Sequence, residues 1–158
     1  MKNFVFLMML LLVTASVQGQ STPELTLEQA LDLLPVYTGG YFATVDDNKA
    51  DLRGWQYQGF ENGKFLFATA NNKDVYKQMQ KNNNVAFACG VGDYQFRITG
   101  KMIEITDTAE KKRLFEKMSP GVKQIYQTWD NPILVIFTVS DGLFRVSKSF
   151  SPFQSIKY

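Results

Sequence analysis

The chain has 158 residues, 45% of them hydrophobic and 14% aromatic, which is enough apolar material for one domain with a real core and excludes a disordered chain. Its net charge of +2 makes no case for a nucleic-acid partner, which would call for a strongly basic face. With no histidine and a single cysteine, Cys89, the chain lacks the parts for Ser-His-Asp and Cys-His nucleophile systems, His-ligated metal or haem, an internal disulfide and a Cys-rich zinc site.

The first residues differ from the rest. Lys2 is followed by an uninterrupted apolar run, Phe4 to Val13, well short of the roughly 20 residues that span a bilayer. Val17 and Gly19 have the small size required at the −3 and −1 positions of a cleavage site. The expectation is a secretory signal peptide over residues 1–19, one mature domain over residues 20–158, and a periplasmic or secreted protein. The same apolar run would also serve as an uncleaved membrane anchor. No cysteine follows Gly19 at once, which argues against a lipid-anchored form.

Thr26 and Gln29 have capping-box spacing, and Leu27, Ala30, Leu31 and Leu34 form an apolar stripe at helical spacing that ends at Pro35. Strands follow. "GGYFATVDD" reads as the first and "DDNKA" as its turn; "DLRGWQYQGF" reads as the second, and Asn62-Gly63 as a hairpin turn into the third, "KFLFATA". A helix is predicted from Asn72 to about Lys81, with Val75, Tyr76 and Met79 inward.

"NVAFACGVG" is nearly all apolar and predicts a fourth strand buried on both faces, with Cys89 a buried small hydrophobe in it. "YQFRITGKMIEIT" alternates as a fifth strand, and Gly100 predicts a bulge or bend in it. "DTAEKKRLFEKM" predicts a helix with Leu114, Phe115 and Met118 inward, and Ser119-Pro120 begins another short one. "PILVIFTVSD" and "LFRVSKSF" read as two final strands joined by a hairpin at Asp141-Gly142. About seven strands with peripheral helices predict a mainly β, antiparallel, closed or nearly closed barrel.

The order of these pieces resembles the pyridoxamine 5′-phosphate oxidase-like family of FMN-binding split β-barrels, in particular its small bacterial members. The resemblance rests on "YFATVD", "DLRGW", "KFLFAT", "KDVYKQMQKNNNV" and "RITGKM", in that order, and covers the chain from about Leu33 to Phe150. It implies a homodimer with FMN at the subunit interface, the phosphate against basic and hydroxyl residues, and flavin redox chemistry. Arg53 stands at the second Arg of the family's "R-x-R-P" strand, and a planar guanidinium fork suits a phosphate. Thr69 ends the third strand, where a hydroxyl is usual. Asn72 and Lys73 fall at the head of the next helix, where free N–H groups and the positive end of the helix dipole favour an anion, and Lys77 lies one turn on. Trp55 and Gln56, with Tyr57, follow Arg53 and would line the ring edge or pack into the barrel. Arg97, in the "R-l-x-G" strand, is implied to contact cofactor or to bridge the dimer.

Three departures from the pattern stand out. Asp51 stands at the first Arg of "R-x-R-P" and would have to point away from a phosphate, as strand alternation would allow, with Gly54 in place of the Pro; Val75 stands where many members carry a phosphate lysine; and Asn82-Asn83 replaces the "N-P" of the turn. The functional expectation is a flavin-dependent oxidoreductase working outside the cytoplasm on a small molecule. The alternatives are a non-catalytic module for flavin, a haem-like macrocycle or another flat ligand, and a dimeric domain that has lost its cofactor.

Overall fold

Thr26 caps the first helix as its spacing predicts: its Oγ1 accepts from the Gln29 backbone N–H (3.2 Å), and Gln29 Oε1 accepts from the Thr26 N–H (2.9 Å). The computed structural model describes residues 24–149 and 151–158, so the expected signal peptide over residues 1–19 lies outside the described residues. After α1 (Leu27–Asp32) come β1 (Gly39–Asp46), β2 (Lys49–Gln56), β3 (Gly59–Glu61) and β4 (Lys64–Ala70), then α2 (Asp74–Lys81), β5 (Asn84–Val91) and β6 (Tyr94–Glu104). The chain closes with α3 (Thr108–Glu116), α4 (Pro120–Tyr126), β7 (Leu134–Lys148) and β8 (Gln154–Lys157). No described helix is long and apolar enough to cross a membrane.

The strands form one antiparallel sheet in the order β2-β1-β5-β6-β7-β4-β3, with β8 on β7. The sheet coils around a core of aromatic side chains, Phe42, Phe65, Phe67, Phe87, Phe96, Phe137 and Phe144, all buried. A second cluster lies outside it, where Leu66 and Ala70 of β4 and Leu134 and Ile136 of β7 meet Leu114, Phe115, Met118 and Tyr126. β4 and β7 are therefore covered on both faces, and β2 remains an edge. This is the expected mainly β split barrel with peripheral helices.

Four expectations need correction. The final two strands are one: β7 runs unbroken through Asp141-Gly142. Gly142 serves a close approach instead of a turn, since a Cβ there would lie 1.6 Å from the Thr99 carbonyl oxygen, beside the bulge at Gly100. The predicted second strand is broken after Gln56 into β2 and β3, and with the unpredicted β8 eight strands are present among the described residues. β5 is buried on one face only, because small outward residues such as Ala88 are left uncovered. On α2 the inward residues are Val75, Gln78 and Met79; Tyr76 is half-buried, and its hydroxyl donates to Glu104 Oε2 (2.8 Å).

The two-residue turns agree with expectation. Asp47-Asn48 (φ 43° and 67°) and Asn62-Gly63 (φ 49° and 75°) have the left-handed conformations that match the twist of a two-residue hairpin.

Candidate functional site

A cleft of about 360 Å³ opens beside the edge strand β2. Asp51, Arg53, Trp55 and Gln56 form one wall; the head of α2 (Lys73 to Val75) closes one end, and Val122, Ile125 and Tyr126 of α4 line another part, with Ala68 of β4. The volume falls within the range of cofactor and small-molecule sites, roughly 300–1,000 Å³.

The polar part is built from a closed ring of hydrogen bonds. Arg53 Nη1 donates to Thr44 Oγ1 (2.6 Å) and Arg53 Nη2 to Gln78 Oε1 (2.9 Å), while the Thr44 hydroxyl donates to the same Gln78 oxygen (2.5 Å). Gln78 Nε2 donates to Asp51 Oδ2 (3.0 Å), and Asp51 is ion-paired with Arg53. Strand alternation puts residues two apart on one face, so Asp51 does not point away from Arg53, as a phosphate site would have required; it points at it. The Gln78 amide first, then the Arg53 charge, hold the Asp51 carboxyl below its usual range.

α2 begins at N-cap Lys73, whose side chain makes no capping bond, and Lys73 has no ion-pair partner among the described residues. The Lys73 N–H donates to the Ala70 carbonyl (3.2 Å), and Lys73, Asp74 and Val75, at the positive end of the helix dipole, line the cleft. The apolar part is fixed by side-chain bonds across the α4 cap. Ser119 N donates to Gln58 Oε1 (2.9 Å), Ser119 Oγ donates to Gln56 Oε1 (2.7 Å), and Oγ also accepts from Val122 N (3.3 Å). These bonds hold α4 against the end of β2. Ile125, 69% exposed, stands in the cleft as an apolar surface without a partner. Trp55 stacks on Phe42 at 4.8 Å between ring centroids, which makes its ring a fixed wall.

The expected site residues divide. Arg53, Trp55, Gln56 and Lys73 meet in the cleft. Asn72 is exposed just before the α2 cap. Lys77 points to the surface, where it pairs with Asp74 (3.2 Å). Thr69 shares the barrel-interior face of β4 with Phe65 and Phe67, opposite Ala68; it is buried, and its Oγ1 finds no hydrogen-bond partner among the described residues. Arg97 lies on β6, with its guanidinium 4.1 Å from the Phe153 ring centroid, beside a separate shallow depression formed by Gly40, Tyr41 and Cys89. Tyr57 is buried against Phe65 and Phe67 and does not line the cleft. Cys89 is half-buried, and burial pushes its thiol up to about 11, so it is protonated at neutral pH.

Sequence reasoning missed Thr44, Gln78, Gln58, Ser119 and the α4 face. Gln78 carried a signal, because it falls three residues after Val75 on the apolar stripe, where a polar side chain has to find buried partners. Among the described residues no cluster of His, Cys, Asp and Glu suited to a metal ion is present.

No family model matches the chain, and no curated protein matches it in sequence. Solved structures do match in fold. A NimC/NimA family protein from Clostridium acetobutylicum is 23% identical with a TM-score of 0.68, over 82% of this chain and 92% of the other. A pyridoxamine 5′-phosphate oxidase-related, FMN-binding protein from Nostoc punctiforme is 13% identical (TM-score 0.55, 76% and 87%). A haem-binding protein from Mycobacterium smegmatis is 11% identical (TM-score 0.62, 75% of this chain and 52% of that one). These likenesses are of fold: the chain is a split barrel of the architecture found in pyridoxamine 5′-phosphate oxidase-like proteins.

Proposed function

We propose that the cleft beside β2 binds FMN and that the protein is a flavin-dependent oxidoreductase acting on a small molecule outside the cytoplasm. The observation that carries this reading is the division of one cleft into two parts. Lys73, Arg53 and the uncapped head of α2 suit a phosphate, while Trp55, Val122 and Ile125 suit a flat ring.

The residues fit the group in kind. Lys73 and the α2 N–H groups would hold the phosphate, Arg53 would reach it through the donors that Thr44, Gln78 and Asp51 leave free, and Trp55 and Ile125 would exclude water from the ring. A flavin bound there would supply the hydride chemistry, so no protein acid or base is required for that step. The test is equilibrium titration of the purified protein with FMN, followed by a search for a donor that reduces the bound flavin and an acceptor, such as a quinone or nitro compound, that reoxidises it.

Pairing of two copies is part of the same reading. Tyr41 and Leu52, each 62% exposed, lie with Ala43 on the outer face of β1 and β2, an apolar surface that a second copy would cover. Measurement of mass in solution tests it, with a monomer as the contrary result. Location outside the cytoplasm rests on Lys2 and the run Phe4 to Val13. N-terminal sequencing of exported protein should begin at Gln20.

A non-catalytic module for a flat ligand is the second reading. The Asp51–Arg53 pair favours it, because a carboxylate already occupies the guanidinium. A ligand that binds but is never reduced or reoxidised would select it.

A further inference from the structure

Four charged side chains line the polar part of the cleft: Arg53 and Lys73 against Asp51 and Asp74. Asp74 is engaged at the surface with Lys77. Asp51 has no such outlet. Gln78 Nε2 donates to its carboxylate (3.0 Å), and Gln78 is itself buried and bonded to Thr44 and Arg53. The half-exposed carboxylate is thus paired with the guanidinium of Arg53, the arginine that lines this cleft. An arriving phosphate has to displace it or accept a like charge a few ångströms away, and either lowers its affinity.

We propose that Asp51 is a specificity-determining residue that sets the cleft against phosphorylated ligands, narrowing the preference for a flat ligand with a phosphate over the same ligand without one. Lys73 and the α2 head attract the phosphate; Asp51 cancels part of that attraction, so the cleft also admits the dephosphorylated form. The identity of the flat ligand rests on the flavin reading above, whereas the charge effect does not.

The test compares the wild-type chain with Asp51→Asn, which keeps the size and an oxygen for Gln78 but removes the charge, and with Asp51→Ala in case the asparagine variant folds poorly. FMN and riboflavin are titrated against each by flavin fluorescence, and inorganic phosphate by calorimetry. The expected result is an FMN affinity about tenfold higher in Asp51→Asn with riboflavin changed by less than about twofold, the order expected for removing one charge from a half-exposed position near a phosphate. A tighter grip on inorganic phosphate accompanies it. If neither flavin binds either protein but inorganic phosphate still binds the variant more tightly, the flavin reading fails and the role of Asp51 stands. An unchanged FMN-to-riboflavin ratio together with unchanged phosphate affinity overturns the proposal, as does an equal gain for both flavins.

Discussion

Asp51 and Arg53 stand two residues apart on one face of β2 and are ion-paired at the wall of the cleft, with Gln78 donating to the carboxylate and accepting from the guanidinium. That relationship makes Lys73 the cation at the cleft without an ion-pair partner among the described residues. It orders the expected effects of mutations.

Lys73→Ala should weaken FMN about tenfold and riboflavin hardly at all, since a charge-assisted contact to phosphate is lost and nothing else. Lys73 caps α2 without a side-chain bond, so the thermal midpoint should stay close to wild type. Paired titrations and melts check both statements.

Gln78→Leu should destabilise the fold by about 1–3 kcal/mol, because the Thr44 hydroxyl and Arg53 lose a buried acceptor that the leucine cannot supply. A lower urea midpoint at unchanged slope is the expected observation. Wild-type stability would show that water takes over these bonds.

Gly142→Ala should destabilise by several kcal/mol, more than the roughly 1–3 kcal/mol usual for overpacking. The added Cβ would meet backbone, the Thr99 carbonyl carbon and oxygen, which cannot rotate away. Gly63→Ala, with nothing near its Cβ but φ +75°, should cost less, about 1 kcal/mol. Denaturant unfolding of the two variants side by side distinguishes a close approach from a turn requirement.

Glu61 accepts from Lys117 (2.7 Å) and Arg113 (2.7 Å), which hold its carboxyl below the usual 4.5. A lowered folded value stabilises the fold above the unfolded value, and that contribution is lost as pH falls through the folded one. Glu61→Gln should therefore be less stable than wild type at pH 7 by about 1 kcal/mol or less, given the exposed partners. The gap should close as pH drops below 4.5. Stability curves across pH 2–7 read this directly.

Much of the fold was legible because local chemistry and tertiary structure agree. The Thr26–Gln29 box, the Asn62-Gly63 turn and the Gly100 bulge each demand a particular backbone, and each is found. Asp141-Gly142 has the same composition as a hairpin turn, yet its glycine answers to Thr99, 43 residues earlier in the chain; no local pattern reports that contact. The basic half of the site was legible through Arg53 and Lys73. Its counter-charge was not, because the expectation that alternation lets Asp51 point away from a phosphate overlooks that residues 51 and 53, two apart, share one strand face, where Asp51 meets Arg53. Val122 and Ile125 were missed because α4 reaches the cleft through Ser119, Gln56 and Gln58, a junction spanning more than 60 residues of sequence.

The most direct measurement is an equilibrium FMN titration, by flavin fluorescence, of the wild-type protein and Lys73→Ala. A flavin site at this cleft predicts saturable binding in the wild type and affinity about tenfold lower in the variant. No saturable binding, or identical curves for two folded proteins, would contradict it.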